Sequence, residues 1–247
     1  MEKGRYSGDT GSNWRRHPDL YTRKTVNPMT LPLLPAMTIL NKHALLKDNQ
    51  FYHVKTNKTA FGLHHTSGGS ATSSISWWNQ KPDHVCTPIM IPRNGEIWEL
   101  FSTHFWAYAL GRTSYGVRLE KRSIQFEIAN WGGLIKGKDG RFYTWSGKVL
   151  PASKVIKYKK KHRGFLYFEK YTDKQVKAVV FALDHYAKMH NIKIKPEDLF
   201  QFWHKGKKPY GIYSHTTVRG DKSDIHPQPN LIKAIYDHFG CTGKITE

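Results

Sequence analysis

The sequence predicts a mixed α/β or α+β domain, a central mixed β-sheet flanked by helices, and three observations carry that prediction. Apolar runs of strand length alternate with turn signals between residues 59 and 145. Two later segments switch to helical spacing. The 38% hydrophobic and 13% aromatic content over 247 residues suffices for a substantial core.

Taken in order, residues 1–48 stand apart. Residues 1–30 are polar and rich in Gly, Arg and Thr, and Pro32 and Pro35 interrupt the apolar segment Leu31 to Leu40. This reads as an N-terminal extension, wrapping the main domain or partly disordered, ahead of one domain over 49–247. Thr59 to Thr66 reads as a strand running into the small-residue loop Ser67-Gly68-Gly69-Ser70. Cys86 to Pro92 and Glu96 to Phe101 flank Arg93-Asn94-Gly95, a hairpin signal because Asn-Gly tolerates the positive φ of a tight turn. Ile124, Phe126 and Ile128 alternate with Gln125 and Glu127, as in a strand with one buried face. Lys138-Asp139-Gly140 marks a second hairpin. Thr172 and Gln175 form a capping box opening a helix that buries Val176, Val179, Val180, Leu183 and Ala187 and stops at Asn191. A second helix runs from Asn230 to Phe239, ended by Gly240.

Composition narrows the partners. A net charge of +20 draws the chain to polyanions: nucleic acid, anionic membrane, or the acidic polymers and lipids of a bacterial envelope. Two distant cysteines, Cys86 and Cys241, form neither a disulfide framework nor a zinc knuckle and read as packed thiols. Polar residues follow Lys3 and Arg5 where a signal peptide needs an apolar run, and no stretch approaches the roughly 20 apolar residues of a membrane span. The expectation is a protein without a cleaved signal that does not span a membrane.

Three places carry chemistry. His64 ends an apolar run beside a flexible loop, a good position for a metal ligand, although it is one of 14 histidines. His215 and Asp224 lie nine residues apart in a loop that Gly220 can bend, so imidazole and carboxylate can meet one ion. Two histidines and one carboxylate leave a fourth zinc position for water, the hydrolytic arrangement. Glu127 interrupts an apolar strand, where a carboxylate is either functional or simply faces solvent.

Leu63-His64-His65-Thr66, Ile89 to Trp98, Ser123-Ile124-Gln125-Phe126-Glu127-Ile128, Tyr171 to Gln175, and His215 through Asp224 occur in an order that closely resembles the N-acetylmuramoyl-L-alanine amidase type 2 family. That family includes phage endolysins, the cytosolic peptidoglycan-recycling amidase and the peptidoglycan recognition proteins. The resemblance covers residues 50 to 240. It implies a zinc enzyme that cuts the bond between N-acetylmuramic acid and L-alanine in peptidoglycan, with Zn2+ held by His64, His215 and Asp224. Glu127 matches the family's general acid/base, and Lys222 the cation beside the scissile carbonyl. The resemblance makes 49–247 the zinc amidase catalytic domain.

Of the adjacent histidines, His64 holds the family's ligand position, and His65 should leave the strand on the opposite face. Cys86-Thr87-Pro88 stands where many members carry a histidine or tyrosine, which favours the glutamate-based subgroup. Ile225-His226-Pro227 replaces the usual Pro-Gly-Pro and makes His226 a rival ligand to Asp224.

Lys154, Lys157, Lys159, Lys160, Lys161 and Arg163 form one cationic stretch, and Lys205, Lys207 and Lys208 another. They suit anionic cell-envelope polymers or lipids, or a plain solvated face. No helix-turn-helix, zinc-finger or RNP pattern accompanies them, so no specific nucleic-acid partner is expected. Trp77, Trp78, Trp106 and Trp131 are candidates for stacking on sugar rings, with at least two expected in the core. The leading expectation is a phage endolysin, made in the host cytoplasm and released to the wall. The alternatives are a cytosolic recycling amidase, a peptidoglycan-binding module without activity, and a basic nucleic-acid-binding protein.

Overall fold

The computed structural model describes residues 37–200 and 210–240. Residues 1–36, Cys241, Lys205, Lys207 and Lys208 lie outside the described residues. In chain order the elements are β1 (Ile39–Asn41), β2 (Ala60–His65), α1 (Ala71–Trp78), β3 (Ile89–Ile91), β4 (Ile97–Glu99), α2 (Val117–Arg122) and β5 (Ser123–Ile128). There follow β6 (Gly133–Lys136), β7 (Phe142–Tyr143), β8 (Val149–Leu150), β9 (Val155–His162) and β10 (Phe165–Glu169). The chain ends with α3 (Asp173–His190), β11 (Gly211–Ser214), α4 (His215–Val218) and α5 (Pro229–Phe239). The fold is mixed α+β, as the sequence predicts.

The central sheet has the order β1-β4-β3-β5-β2-β11. Its pairs are parallel except β3 with β4, the hairpin foreseen at Asn94-Gly95. Gly95 takes φ 81°, and a Cβ there would lie 2.6 Å from the Lys174 side chain, so the turn requires glycine twice over. The edge strand β1 comes from within residues 1–48, which thus add a rung to this sheet. A parallel sheet is covered on both faces. This corrects the one-faced reading of β5, where Gln125 is as buried as its apolar neighbours.

On one face, Phe61, Leu63, Ile89, Ile91, Ile124, Phe126 and Ile128 pack against Val176, Val179, Val180 and Leu183 of α3 and Leu231 and Ile235 of α5. The sequence foresees both helices. Thr172 and Gln175 cap α3 reciprocally, Asn191 ends it at φ 52°, and Gly240 ends α5 at φ 80°. On the other face, Met90 and Leu100 pack with Ala71, Ile75 and Trp78 of α1. The sequence reading missed α1, although Ser70 and Ser73 cap it reciprocally straight after the expected loop.

Between β5 and α3 the chain builds a second, antiparallel sheet of order β8-β7-β6-β10-β9. The hairpin at Lys138-Asp139-Gly140 joins β6 to β7. The cationic stretch becomes β9, an edge strand with Lys157, Lys159, Lys160 and Lys161 exposed. Lysines on an edge discourage pairing with another chain. No helix among the described residues is long and apolar enough to cross a membrane.

Candidate active site

The site lies on the α1 face of the central sheet. Parallel register sets His64 opposite Glu127 and Gly62 opposite Gln125 on one side and Tyr213 on the other. Partners in register share a face, so these side chains gather above β2. A Cβ on Gly62 would fall 2.0 Å from Gln125 Oε1 and 2.8 Å from Tyr213 Oη. Glycine at that position leaves room for Gln125 to reach His64 and for Tyr213 to cross the strand to Gln125 and Ser123.

β11 delivers His215 to the first residue of α4, and the following loop returns Asp224. His64 Nδ1 lies 3.0 Å from His215 Nδ1 and 3.2 Å from Asp224 Oδ2, and His215 Nδ1 lies 2.9 Å from the same oxygen. The three donor atoms fall within 4.8 Å of one another, and all three residues are buried.

The far side of each imidazole fixes its tautomer. Tyr213 Oη donates to Ser123 Oγ at 2.8 Å and accepts from Gln125 Nε2 at 3.0 Å. Gln125 Oε1 therefore accepts from His64 Nε2 at 2.9 Å. His215 Nε2 donates to the Leu110 carbonyl at 3.1 Å. Each Nε2 carries the proton, and both Nδ1 lone pairs face the Asp224 carboxylate. Three lone pairs aimed at one point require a positive charge between them. Tetrahedral zinc, with bonds of about 2.0–2.1 Å, needs ligand atoms about 3.3 Å apart, close to the triangle here. The donor set fits a zinc ion.

Without an ion, a proton supplies that charge. Burial pulls His64 down, but the hydrogen bond to Asp224 and the charges of Glu127 and Asp224 outweigh it and raise its pKa to about 9. Burial and the His64 charge hold His215 below its ordinary value, against the pull of Asp224. Asp224 sits well below the usual carboxylate range, since the two histidines overcome the cost of burying it. Burial pushes Glu127 up to about 8; Asp224 adds to this, while His64 and Lys222 oppose it. Glu127 and Lys222 are half-buried.

A deeper layer holds the Leu110 carbonyl. Glu120 of α2 accepts from Leu110 N at 2.8 Å and Ala109 N at 3.1 Å, and Arg219 donates to the Leu110 carbonyl at 3.0 Å. Burial raises Glu120 to about 7 against those backbone bonds. Nearby Lys58 donates to the carbonyls of Phe105 and Lys121, and burial lowers it to about 7. The sequence reading missed Gln125, Glu120 and Lys58. Gln125 was findable, because two residues along a strand from Glu127 means the same face.

His65 and His226 belong elsewhere. His65 Nδ1 meets Tyr171 Oη at 3.0 Å on the opposite face. His226 is stacked between Tyr171 and Phe168, with Nδ1 2.7 Å from Tyr158 Oη and Nε2 3.0 Å from the Glu169 carbonyl. Both its ring nitrogens are engaged, and it does not join the three-residue cluster. Cys86 is a packed thiol, buried and 3.2 Å from the Gln50 carbonyl. Trp78 and Trp106 are core, Trp131 is half-buried and Trp77 is exposed.

The family profile of the N-acetylmuramoyl-L-alanine amidases matches residues 56–229, more than half of the chain, and the chain belongs to that family. It is thereby an enzyme of the peptidoglycan amidase class. No curated protein sequence matches it. Among solved structures, PlyL is 14% identical over 81% of this chain and 97% of its own, with a TM-score of 0.48. Staphylococcus aureus AmiA is 11% identical over 83% of this chain and 85% of its own, with a TM-score of 0.47. E. coli AmiD, solved with anhydro-N-acetylmuramic acid-L-Ala-D-gamma-Glu-L-Lys, is 18% identical over 74% of this chain and 59% of its own, with a TM-score of 0.46.

Proposed function

We propose that this chain is a zinc-dependent N-acetylmuramoyl-L-alanine amidase that hydrolyses the lactyl-amide bond of peptidoglycan, acting as a phage endolysin. The observation that carries the zinc reading is the convergence of two Nδ1 lone pairs and one carboxylate, each imidazole fixed from behind by a carbonyl acceptor. In this reading His64, His215 and Asp224 would hold the ion, and the chemistry a bound zinc would supply is polarisation of the amide carbonyl and acidification of a water.

Glu127 takes the proton from that water and returns it to the departing L-alanine nitrogen, which leaves poorly unless protonated. A carboxyl already raised to about 8 by burial suits both halves of this transfer, since the best acid/base catalyst titrates near the working pH. Lys222, whose charge already reaches Glu127, stabilises the negative oxygen of the tetrahedral intermediate.

The endolysin role draws on the charge of +20 and the lysines along β9, which suit an anionic cell wall. It places the protein in a host cytoplasm and then at the wall. Metal analysis of the purified protein, with mass spectrometry of digested sacculi, tests the reading. About one zinc per chain and stem peptides beginning with L-alanine support it; glycan fragments or cut cross-links defeat it. Preference for small cytosolic muropeptides over whole sacculi would favour recycling over lysis.

A further inference from the structure

The β7–β8 hairpin carries Trp145 at its turn, and the residue is 72% exposed, the highest value of any large apolar residue described. The ring is nevertheless fixed. Trp145 Nε1 donates to the Ser67 carbonyl at 2.7 Å, and the ring meets Trp131 edge-on with centroids 6.4 Å apart. Trp131 is anchored in turn: its backbone N–H donates to Glu169 Oε2 at 2.6 Å, and its ring closes on Gly69, where a Cβ would lie 3.1 Å away. Ser67 follows His64 by three residues and Trp131 follows Glu127 by four, so the pair stands beside the catalytic end of β2 and β5.

An indole left in water forgoes the burial that stabilises most tryptophans. Here its single polar atom is used to pin it, and a ring face is left presented. The cation that reaches this loop, Arg93, is engaged with Glu169 at 2.6 and 2.8 Å and with the carbonyls of Gly68 and Gly69. The patch therefore offers a rigid aromatic face beside the small neutral residues Ser67, Gly68 and Gly69, with the Arg93 charge already committed. That is the chemistry of a sugar ring, whose C–H face is apolar and whose rim is polar.

We propose that Trp145, backed by Trp131, is a glycan subsite that stacks an N-acetylhexosamine ring next to the muramic acid whose amide is cut. The identity of the polymer rests on the amidase reading above. The test titrates full-length Glu127→Gln protein with a peptide-free tetramer of β-1,4-linked N-acetylglucosamine, following tryptophan emission. A saturable change is expected; it should disappear in a Trp145→Ala background. In Trp145→Phe, which keeps a ring but lacks the pinning N–H, binding should persist about tenfold weaker, the equivalent of one aromatic contact.

In the active protein, Trp145→Ala should lower kcat/KM on whole sacculi about tenfold more than on a soluble N-acetylmuramoyl peptide. No response to the tetramer, or the same response with and without Trp145, overturns the subsite. Sugar binding through Trp145 without release of L-alanine-headed peptides would defeat the amidase reading and leave the subsite standing.

Discussion

His64 and His65 are consecutive in β2, yet the strand delivers them to opposite faces and opposite chemistry. His64 joins His215 and the Asp224 carboxylate and is raised to about 9; His65 joins Tyr171 and the ring of His226, 5.9 Å away, and burial lowers it to about 4. Both are fully enclosed. Burial alone lowers an imidazole, so the difference lies in the neighbours: one face supplies a carboxylate aimed at the ring, the other phenols and further imidazoles. What a buried histidine can do is set by the company its strand face keeps.

The largest effects should come from breaking the His64 side. His64→Ala, His215→Ala or Asp224→Ala should abolish stoichiometric zinc and lower peptidoglycan hydrolysis by at least about 10³-fold, since an active-site metal contributes several kcal/mol. Atomic absorption and turbidity assays measure both. Glu127→Gln should cost about 10²–10⁴-fold in kcat while zinc stays bound, as expected for a lost acid/base. Lys222→Ala should cost about 10²–10³-fold in kcat, as for a lost oxyanion contact. Loss of zinc in Glu127→Gln would make that residue a ligand instead.

One layer out, Gln125→Leu and Glu120→Gln should weaken zinc about 10–100-fold in a competition titration with a chelating dye, because partners behind a ligand set its orientation. His65→Phe sharpens the contrast from the other face. It should leave zinc stoichiometry intact and cost about 1–3 kcal/mol in urea unfolding, because the buried Tyr171 hydroxyl loses a partner. Zinc lost with His65 would erase the distinction between the faces.

The gentlest test is pH, in protein stripped of metal. His64, with a folded pKa of about 9 against 6.5 unfolded, holds its proton more tightly when folded. The stability it contributes is complete below pH 6.5 and is lost as pH rises toward 9. His65, at about 4 folded against 6.5 unfolded, contributes stability above pH 6.5 that is lost as pH falls toward 4. The part of the unfolding free energy that these two histidines contribute should therefore decline on both sides of pH 6.5. His64→Gln should make stability less sensitive to pH between 6.5 and 9, and His65→Gln between 4 and 6.5, as read by urea midpoints across pH.

Much of this was legible in the sequence because it is local. The Thr172–Gln175 cap, the Asn94-Gly95 turn and the alternation at 124–128 depend on residues a few positions apart. The family order of motifs pointed to His64, His215, Asp224, Glu127 and Lys222; the fold brings the first three together, sets Glu127 beside His64 in register, and lets the Lys222 charge act on Glu127. What stayed hidden depends on packing between distant segments. Nothing near Leu110 says that its carbonyl will receive His215 from 105 residues away, or that Glu120 will hold that loop. Residues 154–163 showed only their charge, which masks strand periodicity, and so β9 went unread. Nothing local to Trp145 says that its N–H will bond the Ser67 carbonyl, 78 residues away.

The chain order of the cluster has a consequence for biosynthesis. His64 lies on β2, but its partner His215 follows β11, 151 residues later, and Asp224 later still. A nascent or prematurely stopped chain that ends before β11 holds a single member of the set and cannot assemble the centre. A producing cell thus carries polypeptide with an unfinished cluster until synthesis has passed Asp224.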